Sequence, residues 1–317
     1  MNIKEKFHIG FFGECMVELK GHPSATLSHN FAGDTLNSAT YFRRLVPAET
    51  FTVDYITALG YDAFSDAMLH AWQREGLATQ FVKRLKNKVP GIYYIQVDEQ
   101  GERSFSYWRN QSAARAYFDN ADVEESKLSE ESQIAQLDGL YLSGISLAIL
   151  SDDARQKFLS LLTQLKANGG NVYFDSNYRP ALWGNAEQAR RAYESVLQLA
   201  NCVFATLDDE LALFGDASAD HVLARLGAYN IDEVILKRGA ESCLVVNHDQ
   251  TISATPPTVN KVVDTTAAGD AFSAAYLAAR LQGKNAESAA KAANQLASTV
   301  IQHEGAIVAP SLMPRLF

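Results

Sequence analysis

Cysteine is scarce: three in 317 residues, at Cys15, Cys202 and Cys243. They are far apart and fit neither a C-x-x-C pair nor a Cys/His metal spacing, which excludes a disulfide framework and the common zinc patterns. Buried thiols in a reducing compartment are expected. No apolar run is long enough to span a bilayer, and the first residues lack the apolar core of a secretory signal. A cytoplasmic protein without a membrane partner is therefore expected, and the sequon Asn110-Gln111-Ser112 reads as chance. Basic charge is also in deficit, with 28 Lys and Arg against 37 Asp and Glu, a net charge of −9 and a pI near 5.3. That excludes nucleic acid as the main partner. The most basic run, Lys83 to Lys88, reads as a solvated turn before a strand, or as a local attractor of anions. The histidines (His8, His22, His29, His70, His221, His248 and His303) show no HxxxH or HExxH spacing. Absent too are a G-x-x-x-x-G-K-[ST] loop and a G-x-G-x-x-G after the first strand, which sets P-loop and dinucleotide readings aside. No internal repeat, low-complexity segment or long linker is visible.

What the chain does have is apolar content, 47% of residues, and regular alternation. A buried strand is expected at residues 7–13, extended character at 14–19 and a loop at 20–30. A glycine turn at Gly33 then feeds a helix with Asp34 as its N-cap. Next come a strand at 51–59, a helix at 62–75 and a hairpin of 91–97 with 103–109 around a turn at 98–101. From residue 137 strands and helices alternate: strands at 139–143, 171–175, 202–205, 233–237 and 242–246, and helices at 152–166, 186–199, 208–214, 219–226, 269–281 and 286–302. That order predicts an α/β fold with a largely parallel sheet, helices on both faces and a small added sheet from the first third.

The most informative stretch is Val262-Val263-Asp264-Thr265-Thr266-Ala267-Ala268-Gly269-Asp270-Ala271-Phe272. A small-residue turn emptying into an alanine-rich helix leaves several N–H groups without intrahelical acceptors, a natural seat for phosphate. Asp270 stands at that seat. It is either an ordinary first-turn acid or a base for a hydroxyl that attacks phosphorus. Other polar groups fall at predicted strand ends, on the same edge: 175–179, 206–210 and 237–239. Asn37 either faces solvent or points back toward the turn at Gly33. Arg103, Phe105, Tyr107 and Arg109 share a strand face, as a cation–π surface or as a lid gripping an acidic sugar. Glu210 either charges a helix start or holds Mg²⁺ through water.

The segment Asp264 to Asp270 resembles the C-terminal signature of the ribokinase-like (PfkB) carbohydrate kinases, and Gly33-Asp34-Thr35-Leu36-Asn37-Ser38-Ala39 their N-terminal one. Residues 13–19, 107–110, 142–150 and 175–180 resemble the branch of that family acting on 2-keto-3-deoxygluconate. The resemblance runs over essentially the whole chain. It implies a ribokinase-like three-layer α/β/α Rossmann-like body, one kinase domain over 1–317, with a β-sheet lid from about 14–30 and 89–110. It implies ATP as co-substrate with Mg²⁺, and phosphorylation of the sugar's 6-hydroxyl with Asp270 as base and the backbone of Ala267, Ala268 and Gly269 as anion hole. Sugar contacts carry over to Gly33, Asp34, Asn37, Tyr93, Tyr107, Arg109 and Arg179. ATP contacts carry over to Thr206, Lys237, Gly239, Gly269 and Asn294, with Glu210 in the magnesium-associated place. A neutral-sugar kinase, such as one for fructose, and a non-catalytic sensor of sugar acid or nucleotide are the alternatives. Two positions depart from the family: Ala267 replaces the usual glycine, a methyl that is tolerable if φ stays negative, and Leu207 replaces the asparagine of Asn-x-x-Glu. Pairing of subunits through open lid edges is also expected.

Overall fold

A computed structural model describes residues 6–21, 26–97, 103–119, 130–247 and 250–317, with the side chains of Val97 and Arg103 excepted. The hairpin turn expected at 98–101, His22, His248 and the side chain of Arg103 lie outside it.

In chain order the strands are β1 (Phe7–Phe12), β2 (Met16–Gly21), β3 (Leu27–Ala32), β4 (Phe51–Leu59), β5 (Val82–Arg84), β6 (Gly91–Val97), β7 (Arg103–Trp108), β8 (Gly139–Ser143), β9 (Asn171–Asp175), β10 (Cys202–Thr206), β11 (Glu233–Lys237), β12 (Cys243–Asn247) and β13 (Gln250–Ala254). The α-helices are α1 (Asp34–Leu45), α2 (Ala63–Arg74), α3 (Glu130–Ile134), α4 (Gly144–Ala148), α5 (Asp152–Ala167), α6 (Ala186–Leu197), α7 (Leu207–Phe214), α8 (Ala219–Leu226), α9 (Ala268–Leu281) and α10 (Ala286–Val300).

Nine strands form one sheet in the order β13-β12-β11-β10-β9-β8-β1-β4-β5. It is parallel from β11 to β5 and closes with an antiparallel hairpin, β12–β13. Strand side chains alternate between faces, and the alternation builds two cores. Phe11, Tyr141, Phe204 and Ile235 pack under α1, α2, α9 and α10. Their neighbours Phe12, Leu142, Val203 and Leu236 pack under α4, α5, α6 and α8. Alanine at 271, 274, 275, 278 and 279 lets α9 lie close to its neighbours, and all five are buried; α9 packs against both α1 and α10.

From the centre of the sheet the chain builds outward in both directions, through β4 on one side of β1 and through β8 on the other. Ligands collect at the carboxyl ends of strands beside such a reversal. There the second sheet, β3-β2-β6-β7, is attached: β2 pairs antiparallel with β3 and parallel with β6, and β6 antiparallel with β7. Three strands escaped the sequence reading. β3 has a polar sequence, Leu-Ser-His-Asn, and was expected as loop; β5 is three residues long inside the expected basic turn; β13 follows β12 too closely to show its own pattern.

Candidate active site

The seat at the head of α9 is held from below. The N–H groups of Val263 and Asp264 both donate to the Ile301 carbonyl, at 2.7 and 3.2 Å. The buried Asp264 carboxylate accepts from Thr266 N at 2.9 Å and Gly305 N at 3.2 Å, clamping the loop to the segment after α10. Ala267 then caps the helix at φ 60°, ψ 12°. The expected negative φ is thus corrected: the clamped loop needs a left-handed residue to aim the next amides together, and alanine accepts that strain, about 1 kcal/mol relative to glycine. Ala267 has no side-chain cap to offer, so the N–H groups of Gly269 and Asp270 keep no intrahelical acceptor.

Asp270 sits at the third helical position, half-buried. Its Oδ2 accepts from Asn37 Nδ2 at 2.8 Å. Burial pushes its carboxyl up to about 7, the nearby Asp34 and Asp175 charges push the same way, and the Asn37 bond and Lys237 oppose them. Asn37 is buried rather than solvent-facing, and its Oδ1 has no partner. Asp34 is not the N-cap that was expected. Gly33 takes that place with extended backbone, because a Cβ there would lie 2.1 Å from the Glu14 carbonyl. Asp34 begins the helix instead; its Oδ1 accepts from Thr35 N and its Oδ2 from Asn177 Nδ2, each at 2.8 Å.

Beneath the seat, Lys237 Nζ donates to both oxygens of buried Asp175, at 3.0 and 2.9 Å. The same ammonium is 3.6 Å from where a Cβ on Gly269 would stand. Arg179, half-exposed, faces Asp209 at 3.5 Å, and the Asn177–Asp34 bond holds its loop against the start of α1.

On the lid, Tyr93 is buried and donates its hydroxyl to Glu18. It stacks on the exposed Tyr107 with ring centroids 5.9 Å apart, and Tyr107 stacks on Phe105 at 6.4 Å. Arg109 does not share that exposed face. β7 ends at Trp108, and the chain then carries the guanidinium inward to Glu14, itself 2% exposed. Arg109 Nε donates to Glu14 Oε2 at 2.9 Å, and Nη2 donates to the same oxygen.

Of the expected nucleotide contacts, Thr206 ends β10 half-buried, and Gly239 is exposed at φ 60° with open space around its Cα. Asn294 is buried, its amide donating to Ala254 O in β13 at 2.9 Å. Glu210 is neither solvent-facing nor open to a metal. It is buried, and its Oε2 accepts from Arg225 Nη2 at 2.6 Å. An acid pulled that far into the fold is matched with a guanidinium rather than left for a hydrated cation. Among the described residues no three His, Cys, Asp or Glu side chains gather in a metal-holding group. The donor set therefore does not fit a protein-held Mg²⁺ at Glu210.

A cavity of about 860 Å³ lies at the opposite end of the sheet, below β9, β10 and β11. Its central charge, Glu233, is already met by Tyr276 and Arg280, so its size does not make it the reactive site.

Residues 7–312 match the pfkB family carbohydrate kinase description. The chain belongs to the pfkB family. It is 47% identical to the 2-dehydro-3-deoxygluconokinase of Dickeya dadantii (strain 3937), covering 97% of this chain and 98% of that one. Among solved structures it is similar to a fructokinase with bound ATP from Xylella fastidiosa (TM-score 0.80, 23% identity, 98% and 96% covered). It also resembles the 2-dehydro-3-deoxygluconokinase of Thermotoga maritima (TM-score 0.81, 19% identity, 96% and 95% covered). At those identities the structures show the ribokinase-like fold.

As a pfkB-family kinase, the chain places Asp270, Asn37, Asp34 and Lys237 together from three segments up to 236 residues apart. Sequence reasoning passed over Glu14, Tyr141 and Ser273 as partners, and left Asp175 as one polar residue among several. Its position as the last residue of a buried strand was the available signal. No helix among the described residues is long and apolar enough to cross a membrane.

Proposed function

We propose that the protein transfers the γ-phosphoryl group of ATP to the 6-hydroxyl of 2-dehydro-3-deoxygluconate (2-keto-3-deoxygluconate), giving the 6-phosphate and ADP. The carrying observation is the Asp270 carboxyl at the head of α9, held by Asn37 and bordered by Lys237, in a chain 47% identical to kinases named for that sugar acid. The hydroxyl gives its proton to Asp270 as its oxygen attacks the γ-phosphorus, and the bond to the β-phosphate oxygen breaks. The amides of Gly269 and Asp270 and the Lys237 ammonium receive the charge on the transferring group. Asp34 and Asn37 hold the sugar's hydroxyls. Arg179, the half-exposed cation two residues beyond the Asn177 that bonds Asp34, reads the carboxylate; Arg109, its charge met by Glu14, sets the lid over it. Magnesium in this reading is the nucleotide's counter-ion, and no step is assigned to a protein ligand for it.

Coupled ADP release over a panel of sugars tests this. Release with 2-dehydro-3-deoxygluconate and ATP is expected. Release with fructose alone would make it a neutral-sugar kinase, and binding without release a sensor. Arg179→Met is expected to raise KM for the acid about ten-fold or more, the weight of a charge-assisted bond, with little change toward neutral sugars.

A further inference from the structure

One buried carboxylate has no part in the chemistry so far. Asp175 ends β9 in the middle of the sheet and is 3% exposed. Besides the two bonds from Lys237, its Oδ2 accepts from Ser273 Oγ at 2.7 Å and Tyr141 OH at 3.0 Å. A carboxylate so deep, with four donor contacts, has its lone pairs met inside the fold rather than by water. Lys237 depends on it, since an ammonium this enclosed would be costly without a counter-charge.

The cluster joins the elements that make the site. Lys237 ends β11, Tyr141 lies in β8, and Ser273 is one turn beyond Gly269 on α9. Lys237 Nζ also reaches Ser273 Oγ at 3.3 Å. Tyr141 OH in turn accepts from Ser38 Oγ on α1 at 3.3 Å, and Ser38 Oγ lies within 3.3 Å of the Asp270 carbonyl. An ammonium has three hydrogens. Asp175 and Ser273 draw it to one side, and Gly269, with no side chain, leaves the other side open toward the phosphate seat.

We propose that Asp175 is a positioning residue for phosphoryl transfer: it touches neither sugar nor nucleotide, but holds the Lys237 ammonium beside Gly269 at the border of the anion seat. This rests on the phosphoryl-transfer reading above. Asp175 and Lys237 also act on Asp270 with opposite signs. The charged and titratable groups around Asp270 are Asp34 and Tyr41 from α1, Tyr141 from β8, Asp175 from β9 and Lys237 from β11. Asp175 raises the Asp270 carboxyl and Lys237 lowers it.

The test is a pair of charge variants, alone and combined, read without turnover. The Asp270 carboxyl is followed by carbon NMR in aspartate-labelled full-length protein, assigned with Asp270→Asn. In Lys237→Met the Asp270 midpoint is expected at least about half a pH unit higher than in the parent. Loss of Asp175 removes a charge that raises Asp270 and frees the ammonium that lowers it, so Asp175→Asn is expected to lower the midpoint more in the Lys237→Met background, where no ammonium is left to release, than in the parent. Ser273→Ala, which removes no charge, is expected to leave it in place. An Asp175→Asn step of equal size in the two backgrounds overturns the proposal. Should Asp175→Asn not fold, a midpoint in Lys237→Met that fails to rise overturns it equally. Kinetics then separate this proposal from the reading it rests on. Asp175→Asn should lower kcat about ten-fold or more, with KM for the sugar acid within about two-fold. An unchanged kcat sinks the positioning role while the kinase reading stands; a parent protein that releases no ADP sinks the kinase reading while the carboxyl shifts still report on the cluster.

Discussion

Asp270 takes up its proton near pH 7 in the fold and near the ordinary carboxylate range, about 4, in the unfolded chain. Between those values the folded state holds a proton that the unfolded chain has released, so this group's contribution to stability is full below about pH 4 and is lost as pH rises through 7. Asp270→Asn should therefore be more stable than the parent by about 4 kcal/mol at pH 8, with the difference vanishing near pH 4; denaturant unfolding at both pH values checks it. Equal stability at pH 8 would mean that the carboxyl is not perturbed. Ala267 carries the opposite lesson. Its motif was readable, its backbone was not, because a left-handed alanine is chosen by the Asp264 clamp and the Ile301 carbonyl some 34 residues on, which no local pattern announces. Ala267→Gly should relieve the strain and change stability by at most about 1 kcal/mol, upward. A loss of more than that would show that the methyl packs usefully.

At the scale of elements, the helices and central strands were legible because burial writes a period into them: α5 and β9 lie within a residue of their expected ends. The lid was legible only in part. β6 and β7 alternate, while β3 holds its place through register with β2 rather than through apolar content. The start of α1 depends on one close approach, so Gly33→Ala should cost about 2–3 kcal/mol through the clash with the Glu14 carbonyl, measurable as a lower urea midpoint. An unchanged midpoint would mean that the approach of the β1–β2 turn to the start of α1 can relax. The first turn of α7 looked like a metal site in sequence because three acids run together at Asp208, Asp209 and Glu210. Three dimensions divide them: Asp209 turns to Arg179 and the Tyr178 amide, Glu210 to Arg225. Glu210→Gln should weaken the fold by about 2 kcal/mol and leave the Mg²⁺ concentration for half-maximal rate within about two-fold. A ten-fold rise would restore the acid to the metal.

For the whole molecule, the sheet gathers the site where strand order reverses beside β1, and each wall comes from a different part of the chain: α1 brings Asn37, β9 Asp175, β11 Lys237 and α9 Asp270. Sequence could name two of these segments, α1 and α9, through the two family signatures, but not the pairings that join them, since Asn37 and Asp270 are 233 positions apart. The central claim is that Asp270 accepts the proton of the attacked hydroxyl. The direct measurement is the pH dependence of kcat/KM for ADP release with 2-dehydro-3-deoxygluconate, in the parent and in Asp270→Asn. The account predicts a parental rate that rises with pH through an apparent pKa near 7, and a variant about 10²–10⁴-fold slower without that limb. A variant that keeps the parental rate, or the same acid limb, contradicts it.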